Sequence, residues 1–117
     1  MIPGSSKATR IEVRVSGSDV NPYLAISAAI ASGLYGIEHK LELDSPPISG
    51  SAYSDTTTER LPRNLYEAAS RLAESTIARE IFGETFVEHY ANSRIWEWRE
   101  SQKAVTDWEL KRYFEII

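Results

Sequence analysis

Charged and apolar residues alternate over residues 10–15. Arg10, Glu12 and Arg14 are separated by single β-branched residues. Because successive side chains of a strand point to opposite faces, the alternation predicts a β-strand over 10–15 with one charged face and one apolar face. A lone strand needs a sheet to join, so this pattern also indicates protein beyond the residues in hand.

A long run of apolar and small residues follows the strand. Asn21 is a good N-cap, and Pro22 suits the first helical position because its missing N–H has no partner inside a helix. The run predicts a helix over 22–40, in which the first charge after the cap is Glu38. Its apolar residues surround the axis, and such a helix is normally buried on most sides. We therefore expect a buried helix, covered by the rest of a longer chain or by an oligomer.

Residues 41–64 are rich in Ser, Thr, Pro and Gly and predict a long loop, a feature that is often functional. Helical patterning resumes after Asn64, which can cap a helix with Glu67 as its capping-box partner. Amphipathic helices are predicted across 65–117. The fold class predicted is therefore α+β and mostly helical, with one β-strand, a buried helix and several amphipathic helices.

Cap signals divide the helical part. The first helix extends from Leu65 to about Glu74, and Ser75 caps a short second helix that Gly83 ends. A longer helix is expected over about 84–102. Thr106 or Asp107 then caps a terminal helix, whose apolar side and apolar end are typical of a segment that docks against something.

Composition excludes several classes of protein. The chain has 117 residues, 42% hydrophobic and 26% charged, which is typical of a globular domain. Its formal net charge of -4 gives no general attraction to nucleic acid or to anionic membranes, and we expect neither as a partner. The absence of cysteine excludes disulfides and thiolate metal sites and fits a cytoplasmic location.

The charged face of the strand has two interpretations. It can be a solvated surface with paired charges, which the alternation alone favours. Alternatively, Glu12 is a ligand for a hard cation such as Mg²⁺, and Arg10 and Arg14 bind phosphate or carboxylate groups through their planar forks of donors. A phosphoryl-transfer site needs such parts. One carboxylate cannot hold Mg²⁺ tightly, so further ligands must come from elsewhere.

The residues around this strand resemble a known family. Arg10-Ile11-Glu12-Val13-Arg14, then Asn21-Pro22-Tyr23-Leu24-Ala25 and the helix through Gly33-Leu34-Tyr35-Gly36-Ile37-Glu38, closely resemble the end of the glutamine synthetase catalytic domain. Leu61-Pro62-Arg63-Asn64-Leu65-Tyr66-Glu67-Ala68 looks like the late leucine-proline element of that family. The resemblance covers essentially all of 1–117, as the carboxy-terminal part of such a domain.

The resemblance implies roles for four residues. Glu12 stands where the family has a ligand of an active-site divalent cation, Mg²⁺ or Mn²⁺. Arg14 stands where an arginine contacts the glutamate substrate and the phosphoryl group forming on it, which makes it the catalytic and substrate-binding residue. Arg10 corresponds to an arginine on the ATP side, and Lys7 to a lysine of the nucleotide site.

The reaction implied is that of a ligase in glutamine biosynthesis. The family joins glutamate to ammonia, or to another amine, with ATP and through a γ-glutamyl phosphate. The remaining metal ligands lie upstream in family members, so the chain alone is expected to be inactive without the rest of a synthetase. The alternative is a non-catalytic interaction or oligomerisation module derived from the family. The presence of Lys7, Arg10, Glu12 and Arg14 together favours the ligase.

Three further residues are weaker candidates for functional sites. Tyr53 lies near a position where some bacterial members carry an adenylylated tyrosine, but its neighbours differ from that motif, which favours an ordinary loop tyrosine. His39 and His89 have no convincing metal-ligating partners in the sequence, and structural roles are expected for both.

Overall fold

The computed structural model describes residues 6–8, 10–44, 46, 48, 50–51 and 59–116. The chain divides into two compact units, Met1–Pro47 and Ile48–Ile117. In the described part, secondary structure is mostly α-helical, as the sequence predicts. Tyr53 lies outside the described residues, as does much of the loop predicted over 41–64. Among the described residues, no helix combines the length and the apolar character that crossing a membrane requires.

The first unit contains helix α1, Pro22–Glu38. The Oδ1 atom of Asn21 accepts hydrogen bonds from the N–H groups of Tyr23 at 3.0 Å and Leu24 at 3.3 Å, so the predicted N-cap is confirmed. The helix ends two residues earlier than the predicted position 40. Lys40 adopts a left-handed conformation with a φ of 50°, which turns the backbone out of the helix.

Helix α1 is not buried in this structure, contrary to the expectation from its composition. None of its residues is buried, and Tyr23 and Ile37 are 81% and 76% exposed. Among the described residues of the first unit, α1 is the only helix, so this unit offers no second apolar layer to cover it. Composition predicts what a helix needs to pack against, whereas burial also requires that the partner is present.

The structure has no regular strand over residues 10–15, where the sequence predicts one. Residues 11–15 have no regular secondary structure, and Arg10 takes part only in an isolated bridge. A strand is stabilised by backbone hydrogen bonds to a neighbouring strand, and the described residues contain no other strand with which this segment could pair. The apolar residues Ile11 and Val15 are accordingly 79% and 64% exposed.

The second unit contains the remaining helices. They are α2, Leu65–Glu74; α3, Thr76–Phe82; α4, Glu84–Ser101; and α5, Asp107–Tyr113. Helices α2 and α3 pack on α4, around a small core of buried Ala69, Val87 and Ala91. No residue of α5 is buried.

The predicted helix boundaries in this unit are confirmed by their caps. Asn64 Oδ1 accepts from the Glu67 N–H at 2.9 Å, while Glu67 Oε2 accepts from the Arg63 N–H at 2.9 Å. Ser75 Oγ accepts from the Ala78 N–H at 3.1 Å at the start of α3. Gly83 ends α3 with a φ of 83°, a conformation that glycine adopts without steric cost.

A single arginine links the ends of three helices. Arg79 of α3 donates from Nε to the carbonyl oxygen of Ala73, near the end of α2, at 3.1 Å. Its Nη1 atom pairs with the carboxylate of Glu84, the first residue of α4. Carbonyl groups in the last turn of a helix have no partner within that helix, so Arg79 satisfies one of them and neutralises a nearby acid.

Candidate functional site

The charged residues of the first unit form one cluster. Glu12 Oε1 accepts from Arg10 Nε at 2.9 Å and lies 2.8 Å from Arg10 Nη2. Glu12 Oε2 accepts from Arg14 Nε at 3.1 Å and also pairs with Arg14 Nη2. The carboxylate is therefore held between two guanidinium groups, one on each oxygen. We refer to Arg10, Glu12 and Arg14 as the arginine–glutamate cluster.

Local sequence accounts for this cluster. In extended backbone, residues two apart project to the same side, and the spacing of Arg10, Glu12 and Arg14 places all three side chains together. The shared charged face predicted from the alternation is thus observed, although the regular strand is not. The cluster forms from neighbours in the chain and needs no contact with the second unit.

The two arginines differ in how completely they are bound. Arg10 Nη1 also donates to the carbonyl oxygen of Ala8 at 3.2 Å, so each of its three nitrogens has a partner. Among the described residues, none accepts a hydrogen bond from Arg14 Nη1, and the Arg14 side chain is 84% exposed against 56% for Arg10. Arg14 is the more accessible of the two cations.

The electrostatics of Glu12 follow from this arrangement. The hydrogen bond from Arg14 is the largest cause, and that from Arg10 the second, of a Glu12 pKa below its ordinary value of 4.5. Partial desolvation acts in the opposite direction and is outweighed. Glu12 is consequently a carboxylate at neutral pH, and it balances one of the two neighbouring positive charges.

Lys7 is exposed and lies in a turn over residues 6–8, just before the cluster. The carbonyl of the next residue, Ala8, is the acceptor for Arg10. The turn and the cluster are thereby tied together through Arg10. The roles of Lys7, Arg10, Glu12 and Arg14 in a ligase site stay predictions.

The described residues do not by themselves fit a divalent cation. They contain no group of three or more His, Asp or Glu side chains arranged to hold a metal. A carboxylate has about four lone-pair sites, and each oxygen of Glu12 already faces two guanidinium nitrogens. A cation at Glu12 must therefore displace part of an arginine contact, and it needs ligands from other protein.

The structure also shows contacts that sequence reasoning missed. Neither the Ala8 carbonyl as an anchor for Arg10 nor Arg79 as a link between helices was anticipated. No pattern of side chains signals a contact to a backbone carbonyl. The structural role expected for His39 fits its position, because its ring stacks on Tyr35 with centroids 3.9 Å apart.

An exposed apolar helix and an arginine–carboxylate cluster are together typical of part of a larger domain. Residues 1–113 match the family model described as the glutamine synthetase catalytic domain. The chain belongs to this family.

Three relatives illustrate the similarity. The chain is 52% identical over 114 residues to type-1 glutamine synthetase 2 of Dictyostelium discoideum, with 95% of this chain and 22% of the relative covered. It is 48% identical over 118 residues to a glutamate–isopropylamine ligase of a Pseudomonas species, covering 99% of the chain and 26% of the relative. It is 44% identical over 114 residues to a γ-glutamylethanolamide synthetase of Streptomyces coelicolor, covering 97% and 24%.

The coverage is unequal in all three comparisons. Nearly the whole chain is matched, but it spans only about a quarter of the length of these curated relatives. No solved structure matches the chain at a significant level.

Proposed function

We propose that this chain is the carboxy-terminal part of the catalytic domain of an ATP-dependent ligase. The ligase joins glutamate to ammonia or to another amine through a γ-glutamyl phosphate. The observation that carries the proposal is the arginine–glutamate cluster, which lies in a chain matched by the family model over residues 1–113. Because relatives are named for isopropylamine and for ethanolamide, the comparisons do not decide which amine this ligase uses.

The proposed roles of the residues follow their accessibility and charge. Arg14, with its exposed guanidinium, binds the glutamate substrate and the phosphoryl group forming on it. Arg10 and Lys7 lie on the ATP side of the site. Glu12 is one ligand of Mg²⁺ or Mn²⁺ in the complete domain, where the rest of the synthetase provides the other ligands.

The missing part of the domain also explains the two unmet structural expectations. In the complete protein, residues 10–15 join a sheet through their backbone, and the rest of the chain or a second subunit of a homo-oligomer covers α1. The exposure of Ile11, Tyr23 and Ile37 supports this proposal, because large apolar side chains are stabilised by burial. The lack of cysteine fits the cytoplasmic location that we propose for the enzyme.

A chimera tests the proposal. The segment of the Dictyostelium synthetase that aligns with this chain is replaced by residues 1–117, and ATP-dependent amide formation from glutamate is measured with ammonia and with alkylamines. We expect the 117-residue chain alone to be inactive and the chimera to be active. A chimera that folds and is soluble but forms no amide contradicts the proposal, as does robust amide formation by the chain alone.

The second candidate is a non-catalytic interaction module, and the exposed apolar α1 is the observation that favours it. Such a module associates with a full-length synthetase without completing its site. Co-purification of the tagged chain with a full-length relative, together with an inactive chimera, supports the module. An active chimera supports the ligase instead.

A further inference from the structure

Residues 11–15 combine an apolar side with unpaired backbone. Ile11, Val13 and Val15 are all exposed, and their spacing places them on the side opposite the arginine–glutamate cluster. Among the described residues, no backbone N–H of this segment donates to a carbonyl of another segment. Such a segment can pair with the edge of a sheet, which supplies its backbone hydrogen bonds while pockets take its alternate side chains.

Helix α1 has the surface of a buried element. No charged side chain lies between Asn21 and Glu38. The hydroxyl of Ser32 donates to the Ala28 carbonyl at 2.7 Å, so it needs no partner in a covering layer. The exposed large apolar side chains of the helix include Tyr23, Ile26, Ile30, Leu34 and Ile37. An apolar surface of this extent fits an apolar groove and is unfavourable in water.

A short turn with local contacts joins the segment to the helix. The N–H of Val20 donates to the Gly17 carbonyl at 3.4 Å, and Asn21 caps the first turn of α1. The extended segment, the turn and the helix all lie in the first unit. We refer to residues 11–15 together with α1 as the docking surface.

The length of the relatives indicates what covers the docking surface. The aligned segment makes up 22%, 26% and 24% of the three relatives, so most of each relative lies outside it. The second unit has its own buried residues, whereas α1 has none and is the only helix among the described residues of its unit. An apolar layer for α1 therefore has to come from protein outside the aligned segment.

We propose that the docking surface binds the part of a synthetase that lies outside the aligned segment, and that it does so without a covalent connection. Residues 11–15 add a strand to the edge of a sheet in that partner, and α1 lies in an apolar groove beside it. The inference rests on the proposed function, which identifies the partner, and goes beyond it. The side-chain and backbone contacts alone hold the two parts together.

The first test asks whether the separate parts assemble. The tagged 117-residue chain is expressed together with two forms of the Dictyostelium synthetase, one of full length and one from which the aligned segment has been deleted. The full-length form carries its own copy of the segment, which fills the docking site. We therefore expect the chain to capture the deleted form at least about tenfold more efficiently, in a soluble equimolar complex. Equal capture of both forms, or no soluble complex, overturns the proposal.

The second test places the same charge inside and outside the docking surface. Ile30→Asp introduces a carboxylate in the middle of α1, and we expect it to lower capture at least about tenfold, because an unpaired charge becomes buried. Val105→Asp introduces it at an exposed apolar residue of the second unit and is expected to change capture by less than about twofold. Equal losses for the two variants overturn the proposal.

A milder pair of variants separates docking from helix formation. Ile30→Ala favours the helix but removes apolar area, and we expect it to lower capture at least about threefold while circular dichroism shows unchanged helicity. Val105→Ala is the matched control and is expected to leave capture unchanged. If Ile30→Ala and Val105→Ala behave alike, α1 does not lie in a groove of the partner.

Hydrogen exchange tests the strand addition. We expect the amides of residues 11–15 to exchange freely in the chain alone and to become protected in the complex, because they pair with a sheet. Protection is measured by mass spectrometry on the captured complex. Exchange over residues 11–15 that is as fast in the complex as in the chain alone overturns the strand addition.

The docking and the ligase function can fail separately. If the covalent chimera forms amide but the separate parts do not assemble, the docking proposal is rejected and the ligase function stands. If the parts assemble with protection of residues 11–15, but neither the complex nor the chimera forms amide, the ligase function is rejected and the docking stands.

Discussion

Glu12 carries the electrostatics of the candidate site, because it is the common partner of both arginines. Its pKa is lowered chiefly by Arg14 and secondarily by Arg10. A carboxyl group whose pKa is lower in the folded state contributes stability above its unfolded pKa, which for Glu12 is the ordinary value of 4.5, and this contribution is lost as the pH falls through the folded pKa. The ion pairs are therefore expected to persist at neutral pH and to break only in acid.

The order of the two causes can be measured by titration. In the wild-type chain we expect the carboxyl ¹³C signal of Glu12 to titrate with a midpoint below 4.5. Arg14→Gln raises this midpoint toward the ordinary value, and Arg10→Gln raises it by less. A larger rise for Arg10→Gln would show that the assignment of the dominant partner is wrong.

In the second unit, Arg79 links the ends of helices, and we expect its contacts to stabilise the fold. Its side chain is 30% exposed and contacts both the Ala73 carbonyl and Glu84. We predict that Arg79→Met lowers the free energy of unfolding by about 1.5 kcal/mol, the size typical of a hydrogen bond to a charged group. Urea unfolding followed by circular dichroism measures this loss.

The control is the same substitution at Arg99, an exposed residue of α4 that is bonded to none of the described side chains. Arg99→Met is expected to change the stability by less than about 0.5 kcal/mol. Equal losses for the two variants would indicate that Arg79 acts through general helix propensity and not through its contacts.

At the scale of the element, packing of the helical unit depends on very few side chains. Val87 of α4 is 0% exposed and is the largest fully buried side chain of the described chain. We predict that Val87→Ala lowers the free energy of unfolding by about 2 kcal/mol, since it removes buried methyl groups and leaves a cavity.

Val105 offers a matched control, because it is 77% exposed between α4 and α5. Val105→Ala is expected to be neutral within about 0.5 kcal/mol in the same urea unfolding experiment. If both variants lose the same stability, Val87 does not lie in a packed core.

The sequence predicts the features that depend on neighbouring residues, such as helix caps. It does not predict the features that depend on distant partners, such as strand pairing and helix burial. Asn21, Asn64, Ser75 and Gly83 were identified from sequence because a cap is decided by residues within one helical turn. The strand over 10–15 and the burial of α1 depend on partners from outside each segment. Sequence patterns state that such a partner is needed, but the described residues do not provide it.

The candidate site also has one feature that the sequence predicts and one that it does not. Alternation placed Arg10, Glu12 and Arg14 on one side of the backbone, and the structure brings them into contact. The unequal use of the two guanidinium groups could not be predicted, because it depends on where the Ala8 carbonyl points. Side-chain spacing does not encode the direction of a backbone carbonyl in a turn.

At the scale of the whole molecule, the exposed surfaces and the length of the relatives point the same way. Large apolar side chains of α1 and α5 are exposed, among them Tyr23 and Trp108 at 81% and 62%. The relatives are about four times as long as this chain. Under the function that we propose, the chain forms one wall of a ligase site with Arg14 on the substrate side, and further protein forms the other walls.

The substrate-binding role of Arg14 is tested by the rate of amide formation of the chimera with Arg14→Lys, with Arg99→Lys as the matched control. We expect Arg14→Lys to lower the rate at least about tenfold, equivalent to about 1.4 kcal/mol of transition-state stabilisation, and Arg99→Lys to leave it unchanged. An active chimera whose rate is the same with Arg14→Lys as with Arg99→Lys would contradict the role proposed for Arg14.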